Sequence, residues 1–403
     1  MTAPPTALVL YFQVHQPFRL RRYGWFDVGR DDRWFDDAEN ARIFRRVAAR
    51  CYLPMNALLL RMIRRGKGRF RCSFSVSGTA LDQAERWAPE VIDSFRALAA
   101  TGCVEFLAET SHHSLSLPAD PAEFRAQVEA HRGRIERLFG ARPTTFRNTE
   151  LVFHDEVARE AERMGFDAVL GEGADHLLGW RDPYAVYAPR GCRRLRLLLR
   201  AYRLSDDIAF RFSARSWAEW PLDPAKFVRW LRRVPAGARH VGLFMDYETV
   251  GEHQPRETGI FEFLEGLPAA VAKRRRFRFL TPAEAARVPG PVEPISVPRP
   301  VSWADFERDL SAWLGNPMQK SAHAALYALL PAVRRRPLLL ERWRRLSTSD
   351  HFYYMCTKWA SDGDVHTYFS PWGSPHDAFV SYMNVLEDLA LRSQAAVPLE
   401  EAS

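Results

Sequence analysis

Short apolar stretches alternate with amphipathic helical stretches along most of this 403-residue chain. Strands of four to eight residues that alternate with helices predict a largely parallel sheet, open or closed into a barrel. Four of the predicted strands are followed by an ionisable side chain, namely His15, Glu109, Glu150 and Asp246. Because α/β barrels carry their catalytic side chains at the carboxyl ends of the strands, this repetition favours a barrel with an active site at that rim.

The predicted elements are spaced as such a barrel requires. The strands cover residues 7–14, 70–76, 104–108, 144–149, 167–170, 195–202, 240–245 and 277–280. The helices between them cover residues 40–65, 81–100, 121–139, 155–164 and 224–233, and another begins near residue 282. The third helix is the best marked, because Asp120 supplies an N-cap, Pro121 the first residue and Glu123 a capping box, and Gly140 ends it.

A proline-rich segment divides the chain, with five prolines between positions 289 and 300. We expect residues 1–290 to form the catalytic barrel, residues 291–301 a linker and residues 302–403 a C-terminal helical domain. Helical periodicity there predicts a small bundle. Its predicted helices are residues 303–314, 321–330, 338–346, 350–360 and 375–391.

Composition and charge narrow the function classes. The net charge is +8, but only five of the 57 basic residues are lysine, and the arginines occur in short runs without an RNA-binding or helix-turn-helix signature. We therefore expect no nucleic-acid partner.

The five cysteines are scattered singly, which predicts free buried thiols. The first 16 residues lack a basic segment, and Gln13 and His15 interrupt their apolar run, so we expect a cytoplasmic protein without signal peptide or membrane contact.

The paired strand-end carboxylates suit one reaction class. Glu150 and Asp246 lie on separate strands, and no metal-binding cluster accounts for them. Two carboxylates that face each other suit glycoside hydrolysis, one as nucleophile and one as acid/base, with retention if they lie about 5 Å apart. His15, Glu105 and Glu109 could hydrogen-bond sugar hydroxyls. Tryptophans could stack on sugar rings, and the loop residues Trp25 and Trp359 are candidates among the twelve indoles.

Five stretches carry a family resemblance. In order they are HQP at residues 15–17, GCVEFLAETSHHSL at 102–115, FRNTE at 146–150, FMDYETVGEHQ at 244–254 and SDHFYYM at 349–355. Together they resemble the five ordered motifs of glycoside hydrolase family 57, in its α-amylase-like branch. The resemblance extends over residues 8–390. Three positions depart from the family pattern: Cys103 stands where glutamine is common, and Ser111 and His112 stand where the branch often has tyrosines.

The resemblance implies an incomplete (β/α)7 barrel followed by a C-terminal α-helical bundle that completes the active site. It also implies retaining action on α-1,4-glucans without a metal or other cofactor. By position, Glu150 would be the nucleophile and Asp246 the general acid/base. The substrate contacts implied by the remaining motif positions are His15, His113, Glu248, His253 and Asp350.

Several alternatives remain open on the same residues. The expected partner is an α-glucan or malto-oligosaccharide, and a 4-α-glucanotransferase or branching enzyme would differ from a hydrolase only in the acceptor that attacks the intermediate. A metal-dependent polysaccharide deacetylase has a similar barrel, but it needs histidine ligands, and the adjacent His112 and His113 would point apart. A non-catalytic glucan-binding protein is a third possibility, because fold alone never guarantees activity.

Overall fold

The computed structural model describes residues 5–117, 119–358 and 370–394. Within these ranges the chain forms ten strands and a larger number of helices. The strands are β1 (Thr6–Val14), β2 (Cys72–Val76), β3 (Val104–Phe106), β4 (Thr145–Arg147), β5 (Ala168–Glu172), β6 (Val186–Pro189), β7 (Arg196–Arg200), β8 (His240–Asp246), β9 (Phe277–Phe279) and β10 (Glu293–Ile295). The strands are short, and most of their residues are buried.

Seven parallel strands form a nearly closed barrel. β1 pairs with β2 on one side and β8 on the other, β2 pairs with β3, and β4 pairs with β5, which pairs with β7. Two neighbouring strand pairs are joined by only one residue pair each. An isolated bridge between Ala108 and Phe146 joins β3 to β4, and the pair Arg200 and Gly242 joins β7 to β8. β6 lies antiparallel on β7 and in turn pairs with β10, and β9 pairs with the start of β1. The predicted α/β barrel is confirmed.

Helices surround the barrel and continue beyond it. The barrel helices are α1 (Asp37–Val47), α2 (Leu53–Arg65), α3 (Gly78–Trp87), α4 (Pro89–Ala99), α5 (Pro121–Phe139), α6 (Asp155–Arg163), α7 (Asp175–Leu178), α8 (Tyr202–Ala209), α9 (Pro224–Leu231), α10 (Ile260–Ala272) and α11 (Pro282–Arg287). The C-terminal helices are α12 (Ser311–Leu314), α13 (Pro317–Val333), α14 (Pro337–Leu346), α15 (Ser349–Tyr353) and α16 (Pro375–Gln394). The capping signals predicted α5 correctly, because the Asp120 side chain accepts from the Glu123 amide and Gly140 adopts a left-handed conformation.

Some predicted boundaries were wrong. The predicted helix over residues 303–314 is helical only at Ser311–Leu314, because Asp305 and Arg308 have positive φ angles of 57° and 48° that no α-helix can contain. The predicted helix over residues 81–100 is two helices, since Pro89 starts a new one after Ala88. The predicted helix over residues 350–360 ends at Tyr353, and its last two positions lie outside the described residues.

The proline-rich segment also contributes to the sheet. Glu293–Ile295 forms β10, and Val301 bridges to Phe153 just beyond β4. The segment therefore follows the barrel surface toward the carboxyl ends of the strands. The division into domains at residues 290 and 301 stays a prediction.

The C-terminal helices pack on the loops at the carboxyl end of the barrel. Their apolar side chains, including Trp313, Trp343 and Tyr382, form one buried cluster. The same cluster contains Leu20 and Leu115, which follow β1 and β3. Burial of each large apolar side chain contributes on the order of 2 kcal/mol, so this contact fixes the helices over the rim where the predicted catalytic residues lie.

The other end of the barrel is covered by α11. This helix contacts β1, β5 and β7, and its Ala285 belongs to the apolar cluster inside the barrel, beside Val9 and Leu198. The Thr281 side chain caps the helix, and Glu284 completes a capping box. The interior is thus closed at the amino ends of the strands, and ligands must approach from the carboxyl ends. Over the described part of the chain, no helix combines the length and apolar character needed to cross a bilayer.

Candidate active site

Glu150 lies in a strained turn directly after β4. The strand ends at Arg147, and residues Thr149–Leu151 form a 3₁₀ turn in which Glu150 and Leu151 have positive φ angles of 55° and 53°. Non-glycine residues adopt this conformation only where the surrounding structure enforces it, and such strain is concentrated at functional sites. The Glu150 side chain is nearly buried, with 5% of its residue surface exposed, and lines a cavity at the barrel rim.

Three donors from three parts of the chain surround the Glu150 carboxylate. Ser349 Oγ donates to Oε1 at 2.8 Å, and Trp303 Nε1 donates to Oε2 at 3.0 Å. His113 Nε2 lies 3.4 Å from Oε1. Hydrogen bonds to the charged form of a carboxyl group favour ionisation and fix its orientation. The two hydrogen bonds and the nearby imidazole therefore fix the orientation of the Glu150 carboxyl group in the cavity.

His113 is the cationic member of this group. Its Nδ1 lies 2.7 Å from Glu109 Oε2, and Glu109 Oε1 accepts hydrogen bonds from Gln13 Nε2 and Ser75 Oγ, each at 3.0 Å. Burial alone would lower the pKa of His113, but the hydrogen bond and charge of Glu109, with those of Glu150, raise it to about 9. Burial alone would likewise raise the pKa of Glu109, but the hydrogen bond and charge of His113 lower it to about 2. An imidazolium thus lies between two carboxylates.

His15 stacks on His113 and remains neutral. The two ring centroids are 4.0 Å apart and the planes are inclined by 20°. His15 Nδ1 is hydrogen-bonded to Ser77 Oγ and Nε2 to Asp350 Oδ2, both at 2.8 Å. Burial, followed by the positive charge of His113, lowers the pKa of His15 despite the opposing effect of Asp350. The C-terminal region therefore supplies Asp350 to the rim of the barrel.

Asp246 and Glu248 lie together at the end of β8. Asp246 is the last residue of the strand, and Glu248 sits in the 3₁₀ turn that follows. The buried carboxyl group of Glu248 accepts a hydrogen bond from the Tyr52 hydroxyl. Burial, followed by the charge of Asp246, raises the pKa of Glu248 to about 8. Glu248 is therefore mainly protonated at neutral pH. Of the two residues, Asp246 lines both cavities of the cleft, whereas Glu248 lines one of them.

Two adjoining cavities form the candidate cleft. The first has a volume of about 80 Å³, and it brings together seven of the predicted site residues: His15, His113, Glu150, Asp246, Glu248, His253 and Asp350. The second has a volume of about 290 Å³ and is lined in part by Arg200, Phe210 and Tyr353. Asp246, His253 and Trp303 line both cavities. The two cavities thus form one cleft, and Glu150 and Asp246 both line its smaller part.

Three predicted contacts, Glu105, Glu109 and Trp25, do not line this cleft. Glu105 lies toward the amino end of the barrel, where its carboxylate accepts from Thr145 Oγ1 and, at 2.9 Å, from the backbone N–H of Ala283 in the first turn of α11. Glu109 is fully buried behind His113 and lines neither cavity. Trp25 is 67% exposed in a short 3₁₀ turn and lines neither cavity. Trp359 lies outside the described residues.

The hydrogen-bond donors to Glu150 and Glu248 include three residues that were not predicted. Trp303 was assigned to a helix, yet it lies in the irregular stretch before α12, with its indole against Glu150. Ser349 directly precedes Asp350 in the fifth motif, so the motif itself was the available signal. Tyr52 lies in a π-helical turn, Ala48–Tyr52, between α1 and α2, and nothing in the sequence indicated that its hydroxyl would reach Glu248.

The two adjacent histidines point apart, as predicted. His113 faces Glu109 and Glu150, whereas His112 Nε2 lies 3.2 Å from Glu341 Oε1 on α14. Among the described residues, Asp82, His112 and Glu341 form a group whose ligand atoms lie within 4.8 Å of one another. These residues do not line the cleft, and their carboxylates already form ion pairs with the guanidinium groups of Arg134 and Arg345. Neutralisation by arginine makes this group a poor match for a divalent cation.

A nearly closed parallel barrel with a polar cleft at its carboxyl rim is typical of α/β-barrel enzymes, and two carboxyl groups in such a cleft suit glycoside hydrolysis. Sequence comparison identifies the family. The model of Glycosyl hydrolase family 57 matches residues 9–298. A Methanocaldococcus jannaschii protein provisionally named an alpha-amylase is 39% identical over 396 residues, which cover 94% of this chain and 82% of that protein. The chain belongs to glycosyl hydrolase family 57.

Solved structures of several enzymes share the fold. The 4-alpha-glucanotransferase of Thermococcus litoralis superimposes with a TM-score of 0.68 at 14% identity, over 97% of this chain and 58% of that enzyme. This chain thus spans little more than half the length of the glucanotransferase. A branching enzyme of Thermococcus kodakaraensis gives a TM-score of 0.65 at 14% identity, over 96% of this chain and 94% of that one. At these identities the likeness shows a common fold.

Proposed function

We propose that this enzyme cleaves α-1,4-glucans by a retaining double displacement, with Glu150 as nucleophile and Asp246 as general acid/base. The observation that carries the proposal is the set of three donors on the Glu150 carboxylate, in the same cavity as Asp246. The substrate class is supported by the M. jannaschii relative named as an alpha-amylase. Twelve tryptophans and a cleft bordered by Trp303, Phe210 and Tyr353 are consistent with stacking on sugar rings.

In the first step, a carboxylate oxygen of Glu150 attacks the anomeric carbon and the glycosidic bond breaks. Asp246 donates its proton to the departing glycosidic oxygen, so the shortened glucan leaves as an alcohol and a glycosyl ester forms on Glu150. Asp246 lines the same cavity as Glu150, so its carboxyl group can reach the departing oxygen. The hydrogen bonds from Ser349 and Trp303 keep the Glu150 carboxylate in one orientation before the attack.

In the second step, Asp246 acts as the base. It takes a proton from the attacking hydroxyl, the new bond to the anomeric carbon forms, and the ester to Glu150 breaks. His113 is cationic, so its charge stabilises the carboxylate that Glu150 regains. His15, His253 and Asp350 line the smaller cavity and would bind sugar hydroxyls. Water as acceptor gives hydrolysis, whereas a glucan hydroxyl gives transfer.

Chemical rescue would test the two catalytic roles separately. Glu150→Gly and Asp246→Ala should each lower turnover of a 4-nitrophenyl maltooligoside by about 10³-fold or more. Azide should rescue both variants, but Glu150→Gly should then yield a β-glycosyl azide and Asp246→Ala an α-glycosyl azide. The opposite pair of products would reverse the assignment. Loss of wild-type activity with EDTA, restored by zinc, would instead support a metal-dependent enzyme.

Product lengths from maltoheptaose would identify the acceptor. We expect wild-type protein to give only shorter products. Products both shorter and longer than the donor would identify a 4-α-glucanotransferase, and α-1,6 branches in a longer glucan would identify a branching enzyme. Binding of glycogen without any cleavage or transfer would show a non-catalytic protein.

A further inference from the structure

We propose that Arg308 is a positioning residue for the candidate nucleophile: it fixes the loop of residues 302–309, and that loop holds the Trp303 indole against Glu150. The inference rests on the proposed role of Glu150. None of the sequence motifs includes this loop, which occupies part of a stretch predicted to be helical. Its contacts show instead how it is attached to the barrel.

The loop begins beside the turn that carries Glu150. Val301 and Phe153 exchange backbone hydrogen bonds of 3.0 and 2.9 Å in an antiparallel bridge. Two further contacts close the loop on itself: Ser302 N–H donates to Arg308 O at 3.1 Å, and Ser302 Oγ donates to Asp309 O at 2.7 Å. Trp303 therefore lies only two residues after Val301, whose backbone is held by the bridge. Arg308 lies at the other end of the same closed loop.

The backbone of the loop is strained at two positions. Asp305 and Arg308 adopt left-handed conformations, with φ angles of 57° and 48°. Non-glycine residues in this region persist only where surrounding contacts over-determine the conformation. Side-chain contacts of the loop must therefore maintain its shape, and the contacts of Arg308 with the barrel are suited to do so.

Arg308 is attached to a charged cluster on the barrel. Its Nη1 lies 3.2 Å from Glu172 Oε2 at the end of β5, and its Nη2 lies 3.4 Å from Asp206 Oδ2 on α8. The guanidinium also lies over the Tyr202 ring, 4.0 Å from the centroid. Arg200 pairs with the same two carboxylates, so two arginines and two acids balance in charge. Because Glu172 is fully buried, removal of one arginine leaves negative charge in excess next to a carboxyl group that solvent does not reach.

The contacts of Arg308 and its loop lead to the Trp303 side chain, which lines the cleft. Its Nε1–H donates to Glu150 Oε2 at 3.0 Å. Two guanidinium groups flank the ring, those of Arg147 at 4.6 Å and Arg200 at 5.9 Å from its centroid. Arg200 belongs to the cluster that binds Arg308, so the ring and the loop are anchored to the same group. A shift of the loop would move the donor away from Glu150.

A double-mutant cycle tests whether Arg308 acts through Trp303. Trp303→Phe keeps a ring but removes the N–H donor, and it should lower kcat on maltooligosaccharides by about 30-fold. Arg308→Gln should lower kcat by about 10-fold with less than a twofold change in KM, because a displaced donor affects the chemical step. In the Trp303→Phe background, Arg308→Gln should have less than a threefold effect. Fully additive effects on kcat would overturn the proposal.

Arg334→Gln is the matched control for this cycle. Arg334, like Arg308, joins the C-terminal region to an acidic side chain of the barrel, with Nη2 2.8 Å from Oδ2 of Asp120 at the start of α5, but it lines neither cavity of the cleft. It should leave kcat unchanged in both backgrounds. If Arg308→Gln does not fold, Arg308→Lys retains the charge and loses the planar fork, and the same comparison with Trp303→Phe applies to it.

A measurement without turnover separates this inference from the proposed function. In protein labelled with 5-fluorotryptophan, the ¹⁹F resonance missing from Trp303→Phe identifies Trp303. Arg308→Gln should shift or broaden that resonance, and Arg334→Gln should not. An unchanged Trp303 resonance in Arg308→Gln would refute the positioning role. Wild-type protein without activity on glucans would refute the proposed function but leave this result interpretable.

Discussion

Glu105 and Glu109 lie four residues apart near β3, yet they serve opposite ends of the barrel. Glu105 faces the closed amino end, where its carboxylate accepts from Thr145 and from the first turn of α11. Glu109 faces the open carboxyl end, where it is paired with His113 beneath Glu150. Burial acts on both carboxyl groups in the same direction. Burial raises the pKa of Glu105, whereas the pKa of Glu109 is lowered to about 2.

The comparison shows that the charge of these two buried glutamates depends on the hydrogen-bond partner of each carboxyl group and not on burial, which is common to both. Glu105 has neutral donors, which offset only part of the lost hydration. Glu109 has an imidazolium, whose charge outweighs the lost hydration. Because His113 also reaches Glu150, the ion pair at the open end has a chemical consequence. The contacts of Glu105 at the closed end instead support the first turn of α11.

The largest effect expected from this comparison is on activity. Glu109→Gln removes the anion that keeps His113 cationic, so Glu150 loses a positive neighbour, and kcat should fall by about 100-fold. Glu105→Gln should keep kcat within about threefold, because its contacts support α11 and not the cleft. Steady-state kinetics on maltooligosaccharides measures both. Equal losses in the two variants would show that the two ends are not chemically distinct.

The next effect is on stability at the open end. Glu109→Gln should lower the free energy of unfolding by about 3 kcal/mol near pH 6, since it removes the nearer of the two carboxylates that pair with the buried imidazolium of His113. His113 has a raised pKa of about 9, so its contribution is complete below its unfolded pKa and is lost as pH rises through 9. The lowered pKa of Glu109 makes its contribution disappear as pH falls toward 2. Urea denaturation should therefore show the largest difference from wild type near pH 6, and a difference independent of pH would contradict this account.

The smallest effect is at the closed end. Glu105→Gln should cost about 1 kcal/mol at pH 4, because the amide cannot accept both hydrogen bonds. The pKa of Glu105 is raised, so its contribution is complete below its unfolded pKa and declines as pH rises through the folded pKa. Wild type should therefore lose its advantage over the variant as pH rises above the ordinary pKa of a glutamate. An advantage that grows with pH would mean that Glu105 has an ionic partner after all.

Much of the barrel could be predicted from local pattern. The runs of buried residues in β1 and β8, and the capping residues of α5, are local signals, and the structure has these elements near their predicted bounds. The polar residues after three strands, His15, Glu150 and Asp246, do meet in one cavity. Their convergence follows from the parallel sheet, because the carboxyl ends of parallel strands meet at one rim.

The same reasoning failed where side-chain direction or distant packing decides. Glu105 and Glu109 were both predicted to hydrogen-bond sugar hydroxyls, but the Glu105 carboxyl group accepts from the first turn of α11 at the closed end. The sequence around Trp303 has a helical period, but the loop takes left-handed backbone at Asp305 and Arg308 because the barrel binds its side chains. Trp25 has the residue type of a sugar-binding side chain, but its loop places it outside both cavities.

The sequence by itself determined the order of strands and helices, the carboxyl and imidazole groups that end the strands, and the membership in a hydrolase family. Only the tertiary structure decided which of these groups meet and which are charged. The contacts that complete the site join residues 153, 199 and 335 positions apart, for Trp303 with Glu150, Ser349 with Glu150 and His15 with Asp350. Local sequence pattern does not encode such distances, and the charge of a buried group depends on the partner that they bring to it.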